Sequence, residues 1–165
     1  MVLRVLVKKD AEEVALAAAQ IIAACADQKL VSSLCVATGA SPTRAYQLLI
    51  EEARKKKISL KKMVFVKLDE WLGLPMHDPA TCEYYIQQHL LKPLRVKGKK
   101  YIRFESNPRN AEKECQRMRR RLEKLGPLDL CVLGLGTNGH LGFNEPADGL
   151  NVQPHFPAAR HAGFE

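Results

Sequence analysis

Long apolar runs are missing from this chain of 165 residues. No stretch approaches the roughly 20 apolar residues that a membrane-spanning helix needs, so no membrane role is expected. Met1–Lys9 is too short for a signal peptide and lacks a small-residue cleavage site. Aromatic residues are scarce, at 6% with a single tryptophan. The basic clusters Arg54–Lys57, Lys61–Lys62, Lys97–Lys100 and Arg117–Arg121 therefore lack interleaved aromatics. They read as solvated helix ends and faces rather than a nucleic-acid surface. Five cysteines, Cys25, Cys35, Cys82, Cys115 and Cys131, are scattered with no CxxC pair. That spacing excludes a common zinc site and fits buried, reduced thiols in a cytoplasmic protein. Internal repeats and low-complexity tracts are also missing.

What remains is the composition of a globular domain: 46% hydrophobic and 27% charged, with a formal net charge of +8. The length suits one domain with a sizeable core. A positive field would also draw in a small phosphorylated substrate. Val2–Val7 reads as a short strand. Asp10 with Glu13 makes a capping box for a helix whose apolar stripe is Val14, Ala17, Ala18, Ile21, Ile22 and Cys25. Leu34–Thr38 is the next strand, followed by a helix with Ser41 as N-cap and Pro42 in its first position. Met63–Leu68 is a strand, Asp78-Pro79 starts a helix reaching Leu91, and Lys100–Phe104 is a short strand. Asn110 caps a helix with the stripe Cys115, Met118, Leu122 and Leu125, which Gly126-Pro127 stops. Leu128–Leu133 has the composition of a parallel strand covered on both faces. The alternation predicts an α/β fold, a three-layer α/β/α sandwich around a mostly parallel, doubly wound sheet.

Parallel strands place their carboxyl ends on one edge, where ligands bind in such sheets. Three of those ends carry chemistry. The first is Thr38-Gly-Ala-Ser-Pro-Thr43 at a helix start, where free N–H groups and the helix dipole make an anion site. The hydroxyls of Thr38, Ser41 and Thr43 can add donors, and no Walker lysine follows. The second is Asp69-Glu70, flanked by Leu68 and Trp71. Partial desolvation there makes Asp69 a better base, while Glu70 reads as a surface acid or a structural salt bridge. The third is Gly134-Leu-Gly-Thr-Asn-Gly-His140 with Asn144-Glu145-Pro146. His140 can move protons with Glu145 orienting or charging its ring. Gly134, Gly136 and Gly139 match a dinucleotide fingerprint in spacing, but Pro146 and the turn-like continuation break the required helix. A phosphate cradle, a carboxylate base and a histidine suit proton transfer on a sugar phosphate.

The segments Thr38–Pro42, Phe65–Trp71, Thr81–Glu83, Gln87–His89, Asp129–Leu133 and Gly134–Pro146 resemble the glucosamine-6-phosphate deaminase/isomerase family. Within it they look most like the galactosamine-6-phosphate isomerase branch. The resemblance implies conversion of a 2-amino-2-deoxyhexose 6-phosphate to a ketohexose 6-phosphate and ammonia, with no cofactor and no metal. It implies that Asp69 moves the C2 proton, that His140 opens the ring and that Glu145 supports it. It assigns substrate and phosphate contacts to Thr38, Gly39, Ala40, Ser41 and Thr43, with Gly136 and Gly139. Asn138 stands where the glucosamine enzymes carry an aspartate, which favours the galactosamine epimer. The partner implied is a small sugar phosphate, and self-assembly into a homo-oligomer stays open.

Family members continue well past position 165. The resemblance therefore implies a single isomerase domain over 1–165 that is incomplete at its C-terminus. One sheet edge is then expected to be unpaired, and the phosphate-holding cation to lie beyond Glu165. Two other functions are kept beside the deaminase: a 6-phosphogluconolactonase-like lactone hydrolase, and a catalytically inactive sugar-phosphate-binding regulator. The lactonases share the Gly-His element but lack the Asn-Glu-Pro continuation.

Overall fold

The computed structural model describes residues 3–27, 32–60, 63–147, 149 and 153–155. Lys61–Lys62 and most of the stretch after Leu150 lie outside the described residues. The elements are α1 (Ala11–Asp27), β1 (Ser33–Val36), α2 (Ala40–Lys55), β2 (Val64–Lys67), α3 (Cys82–Ile86), α4 (Lys92–Leu94), β3 (Tyr101–Ile102), α5 (Ala111–Leu125) and β4 (Leu130–Val132). A π-helical turn, Gln87–Leu91, joins α3 to α4. The four strands form one parallel sheet in the order β3-β2-β1-β4.

Strand periodicity sorts the core into two sides. Leu34, Val36 and Phe65 pack with α1, α2 and the Ile86–Leu91 segment, joined by Leu130 and Val132. Cys35, Val66 and Ile102 point the other way and pack with Met118, Leu122 and Leu125 of α5. Helices therefore cover both faces, as the alternation predicts. The α5 stripe matches the sequence reading in every position. On α1 the buried face is Ala15, Ala19, Ile22 and Ala23, while Val14 and Ile21 are exposed. That helix is apolar nearly all round, so spacing alone does not choose its face.

Several expectations are corrected. The described part of Val2–Val7 is not a strand: residues 3–8 have no regular structure, and Leu3, Val5 and Val7 are exposed. A strand-like composition forms a strand only when a neighbour supplies ladder hydrogen bonds. Gly39 (φ 119°), not Ser41, takes the N-cap of α2, so Ser41 and Pro42 lie inside the first turn. The helix after Asp78-Pro79 starts later, with Thr81 as its N-cap accepting from Tyr84 N. β4 is an edge strand, and Cys131, Leu133 and Leu135 on and after it are exposed. Both-face coverage is thus not met there, and Cys131 is not a buried thiol.

Register is what positions the site. Val36 pairs with Lys67 on one side and with Val132 on the other. At the start of β1, one oxygen of Asp129 accepts hydrogen bonds from the backbone N–H and hydroxyl of both Ser32 and Ser33, at 2.8–3.0 Å. Ser33 Oγ accepts in return from Asp129 N. These donors pull the Asp129 carboxyl down to about 2. A depressed acid contributes stability above its ordinary value near 3.8 and loses it as pH falls through about 2. Asp129→Asn is expected to lower the urea midpoint at pH 7, with the gap to wild type closing towards pH 2. A gap that is unchanged at pH 2 would show that the carboxylate does not carry the β1–β4 clasp.

Candidate active site

Thr38, Asp69 and Gly134 each lie two residues beyond the paired row Val36, Lys67 and Val132. Parallel register therefore brings the three loops to one edge. Direct packing joins two of them. The rings of Trp71 and Phe143 lie 4.3 Å apart, tilted by 40°. A Cβ on Gly142 would come within 3.1 Å of Asp69 Oδ2 and 3.0 Å of Leu68 Cδ2. At a φ of 59°, glycine lets the third loop lie this close over the carboxyl without pushing these neighbours aside.

Lys67 is the centre of the second loop. Its ammonium is fully buried and pairs with Glu70 and, at 3.5 Å, with Glu83. The Phe104 carbonyl accepts a third contact at 3.1 Å. Glu70 also accepts from the backbone N–H groups of Trp71, Cys82 and Glu83, so it holds the start of α3 against the end of β2. This bears out the salt-bridge reading of Glu70. Glu83 is held by Gln87, Tyr101 and Arg103. Burial pushes its carboxyl up, but those hydrogen bonds and the charges of Lys67 and Arg103 bring it below the ordinary value.

Asp69 has no comparable cation. Its Oδ1 is buried and has no hydrogen-bond partner among the described residues. Burial raises its carboxyl above the usual range, and the charge of Glu70 adds to the rise. Contact with the Cys82 thiol and the charge of Lys67 offset part of it. An under-solvated carboxylate with an open lone pair is a stronger base than one in water. Asp69 lines a cavity of about 200 Å3 with Leu68, Trp71, Phe104, Phe143 and Asn144. His140 and the Thr38–Thr43 loop are not among the walls of that cavity.

The histidine loop differs from its sequence reading. His140 Nδ1 lies 2.7 Å from Asn138 Oδ1, and Asn138 Nδ2 donates to Glu145 Oε2 at 2.7 Å. Asn138 thus stands between Glu145 and the ring, where the sequence suggested direct contact. The polarity follows from chemistry. The carboxylate only accepts, so it faces the amide NH2, and the amide oxygen then faces His140 Nδ1, which must donate. No hydrogen bond to Nε2 is seen among the described residues. Gly136 lies directly under the ring, where a Cβ would fall 2.2–2.6 Å from its atoms. Gly139 N donates to Gly136 O at 2.9 Å and closes the turn.

In the first loop, Thr43 Oγ1 donates to the Gly39 carbonyl at 2.7 Å, and the Tyr85 hydroxyl donates to the same carbonyl at 2.8 Å. Thr38 Oγ1 lies 3.6 Å from Cys82 Sγ. The Thr43 proton is therefore spent inside the loop, while Ser41 is exposed in the first turn of α2. Tyr85, Phe143 and Cys82 shape the site but were given no role from the sequence, although Cys82 and Phe143 fall in the family-like segments, because their roles arise from contacts between distant loops. No three-residue cluster suited to a metal occurs among the described residues. No helix among them is long and apolar enough to cross a membrane.

A buried pair that loses one partner leaves an uncompensated charge, at a cost of about 3–5 kcal/mol. Lys67→Met is expected to lose roughly that much stability, read from urea unfolding. A loss below about 1 kcal/mol, the range of an exposed pair, would show that the Lys67 cluster is not what holds β2 to α3.

Residues 8–142 match the family model described as glucosamine-6-phosphate isomerases/6-phosphogluconolactonase. An Escherichia coli (strain K12) protein named putative deaminase AgaI is 45% identical over 122 residues, covering 74% of this chain and 48% of its own length. A glucosamine-6-phosphate deaminase of Clostridium tetani (strain Massachusetts / E88) is 33% identical over 153 residues, covering 93% of this chain and 64% of its own. The chain thus spans about half to just under two thirds of these relatives. A monomeric glucosamine-6-phosphate deaminase of known structure superposes with a TM-score of 0.83 at 32% identity, over 87% of this chain and 60% of that one. The 6-phosphogluconolactonase of Thermotoga maritima matches at 18% identity and a TM-score of 0.68, over 84% of this chain and 61% of that one, a likeness of fold alone.

Proposed function

The chain belongs to the glucosamine-6-phosphate isomerase/6-phosphogluconolactonase family, and from that premise we propose that it carries the catalytic edge of a hexosamine-6-phosphate deaminase. The substrate is a 2-amino-2-deoxyhexose 6-phosphate, and the products are a ketohexose 6-phosphate and ammonia. The observation that carries this reading is Asp69: a buried carboxyl whose Oδ1 has no partner among the described residues, at the same sheet edge as a histidine oriented through its Nδ1.

In this mechanism His140 Nε2 takes the proton of the anomeric hydroxyl and delivers it to O5 as the C1–O5 bond opens. Asp69 then removes the C2 proton, made acidic by the new C1 aldehyde, and returns it to C1. The C2 amine becomes an imine, water adds, and ammonia leaves. The phosphate rests on the loop of Thr38, Gly39, Ala40, Ser41 and Thr43, with Ser41 as its exposed hydroxyl. Asn138 supports the galactosamine epimer through its resemblance to that branch. The lactonase alternative rests on a likeness of fold.

Asp69→Asn keeps the shape and removes the base. In the intact gene product, turnover of both hexosamine 6-phosphates is expected to fall by about 10²–10⁴ with KM little changed. Deuterium exchange at C2 is expected to vanish. The same variant should unfold at a higher temperature at pH 7. The sign follows from linkage: a raised carboxyl costs stability as pH rises through its folded value, and the amide removes that cost. Normal C2 exchange in Asp69→Asn would overturn the assignment. For His140→Gln, a larger loss on the ring-closed sugar than on an open-chain analogue is expected. Equal losses would make His140 a structural residue.

A further inference from the structure

Tyr85 stands on α3, far in sequence from the Thr38–Thr43 loop, yet its side chain reaches that loop. Its hydroxyl and that of Thr43 converge on the Gly39 carbonyl, at 2.8 Å and 2.7 Å, and are in contact with each other. The Tyr85 ring is half-buried and lies against His89, one turn further on, with centroids 4.5 Å apart and a tilt of 40°. Burial holds the hydroxyl above the ordinary tyrosine range, so it keeps its proton at neutral pH. Glu70 accepts from Cys82 N and Glu83 N at the start of the same helix. α3 therefore ties the loop that holds Asp69 to the loop that opens α2.

Gly39 gives that contact its consequence. It is the N-cap of α2, at φ 119° and ψ 173°, and a glycine offers little resistance to rotation of the peptide that follows it. That peptide is trans, so the Gly39 carbonyl and the Ala40 N–H point in opposite directions. Ala40 opens α2, and its N–H has no acceptor within the helix. Holding the carbonyl against the two hydroxyls turns this N–H away from them. A flipped peptide would instead present a carbonyl oxygen, which repels an anion.

We propose that Tyr85 is a positioning residue for the phosphate loop: its hydroxyl holds the Gly39 carbonyl and so sets the Ala40 N–H to receive the phosphate of the substrate. The inference rests on the hexosamine-6-phosphate reading and adds to it a residue from outside the three loops. Tyr85 is not among the walls of the Asp69 cavity. The clamp therefore acts on binding of the phosphate and not on the C2 proton.

The test uses the intact gene product. Tyr85→Phe keeps the ring against His89 and removes the hydroxyl alone. KM for the hexosamine 6-phosphates is expected to rise about 3–10-fold, the scale of one lost hydrogen bond, with kcat within about twofold of wild type. The dissociation constant of inorganic phosphate, read by titration calorimetry, is expected to rise by the same factor. Thr43→Val removes the second hydroxyl on the same carbonyl and is expected to repeat the loss, while Thr43→Ser keeps a hydroxyl and is expected to spare it. The Thr43 pair carries the comparison if Tyr85→Phe does not fold, and the opposite order would overturn the clamp. A fall in kcat with KM and phosphate affinity unchanged would make Tyr85 a merely structural residue and overturn the proposal. So would no change in any of the three. A wild type without turnover would refute the deaminase reading alone. Calorimetry with phosphate would then still decide the clamp, because equal binding, or none, in wild type and Tyr85→Phe would overturn it.

Discussion

A buried ammonium ion cannot stand alone, and the site is built around that constraint. Lys67 ends β2 with its side chain fully out of solvent. Glu70 and Glu83 neutralise it, and Arg103 balances the second carboxylate. Because Glu70 must return to Lys67 while also accepting from Cys82 and Glu83, Leu68 and Asp69 are held in a short, fixed span. Three acids thus share a small volume, and the cations are committed to two of them. Asp69 is the one left over. Its raised affinity for protons comes first from burial, and the neighbouring Glu70 charge adds to it.

The sheet converts that local arrangement into a shared edge. Asp129 clasps the two serines at the start of β1, which fixes β4 against β1 at the end remote from the loops. Register then carries the alignment along both strands to Val36 and Val132. A slip of one residue would turn the side chains of β4 to the opposite face. It would also displace Gly136, on which the seat of the His140 ring depends.

This division explains what was legible in the sequence. Parallel order made the convergence of Thr38, Asp69 and the glycine loop visible, because topology alone places strand ends together. The α5 stripe was legible because its polar residues mark one face clearly. The α1 face was not, since alanines and isoleucines surround that helix. Val2–Val7 failed because apolar composition names a preference and cannot name a pairing partner. Ser41 lost the N-cap to Gly39, whose φ of 119° suits glycine better than serine. Contacts such as Trp71 on Phe143 or Tyr85 on the Gly39 carbonyl join residues 72 and 46 positions apart, and no local pattern encodes them.

Asn138 shows how a single side chain can be read differently once its neighbours are known. From sequence it was a lost charge beside His140. In place it is a connector with one accepting end and one donating end, and both are used. An aspartate at 138 could accept from the ring but could not donate to Glu145, and the two carboxylates would repel. Asn138 and Glu145 are therefore matched to each other. The amide lets the Glu145 carboxylate set the polarity of the chain that ends at His140, without placing a second negative charge against the ring. The ring is held through Nδ1 as donor to the Asn138 amide oxygen. That contact fixes the plane of the ring, so Nε2 keeps one orientation relative to the sheet edge.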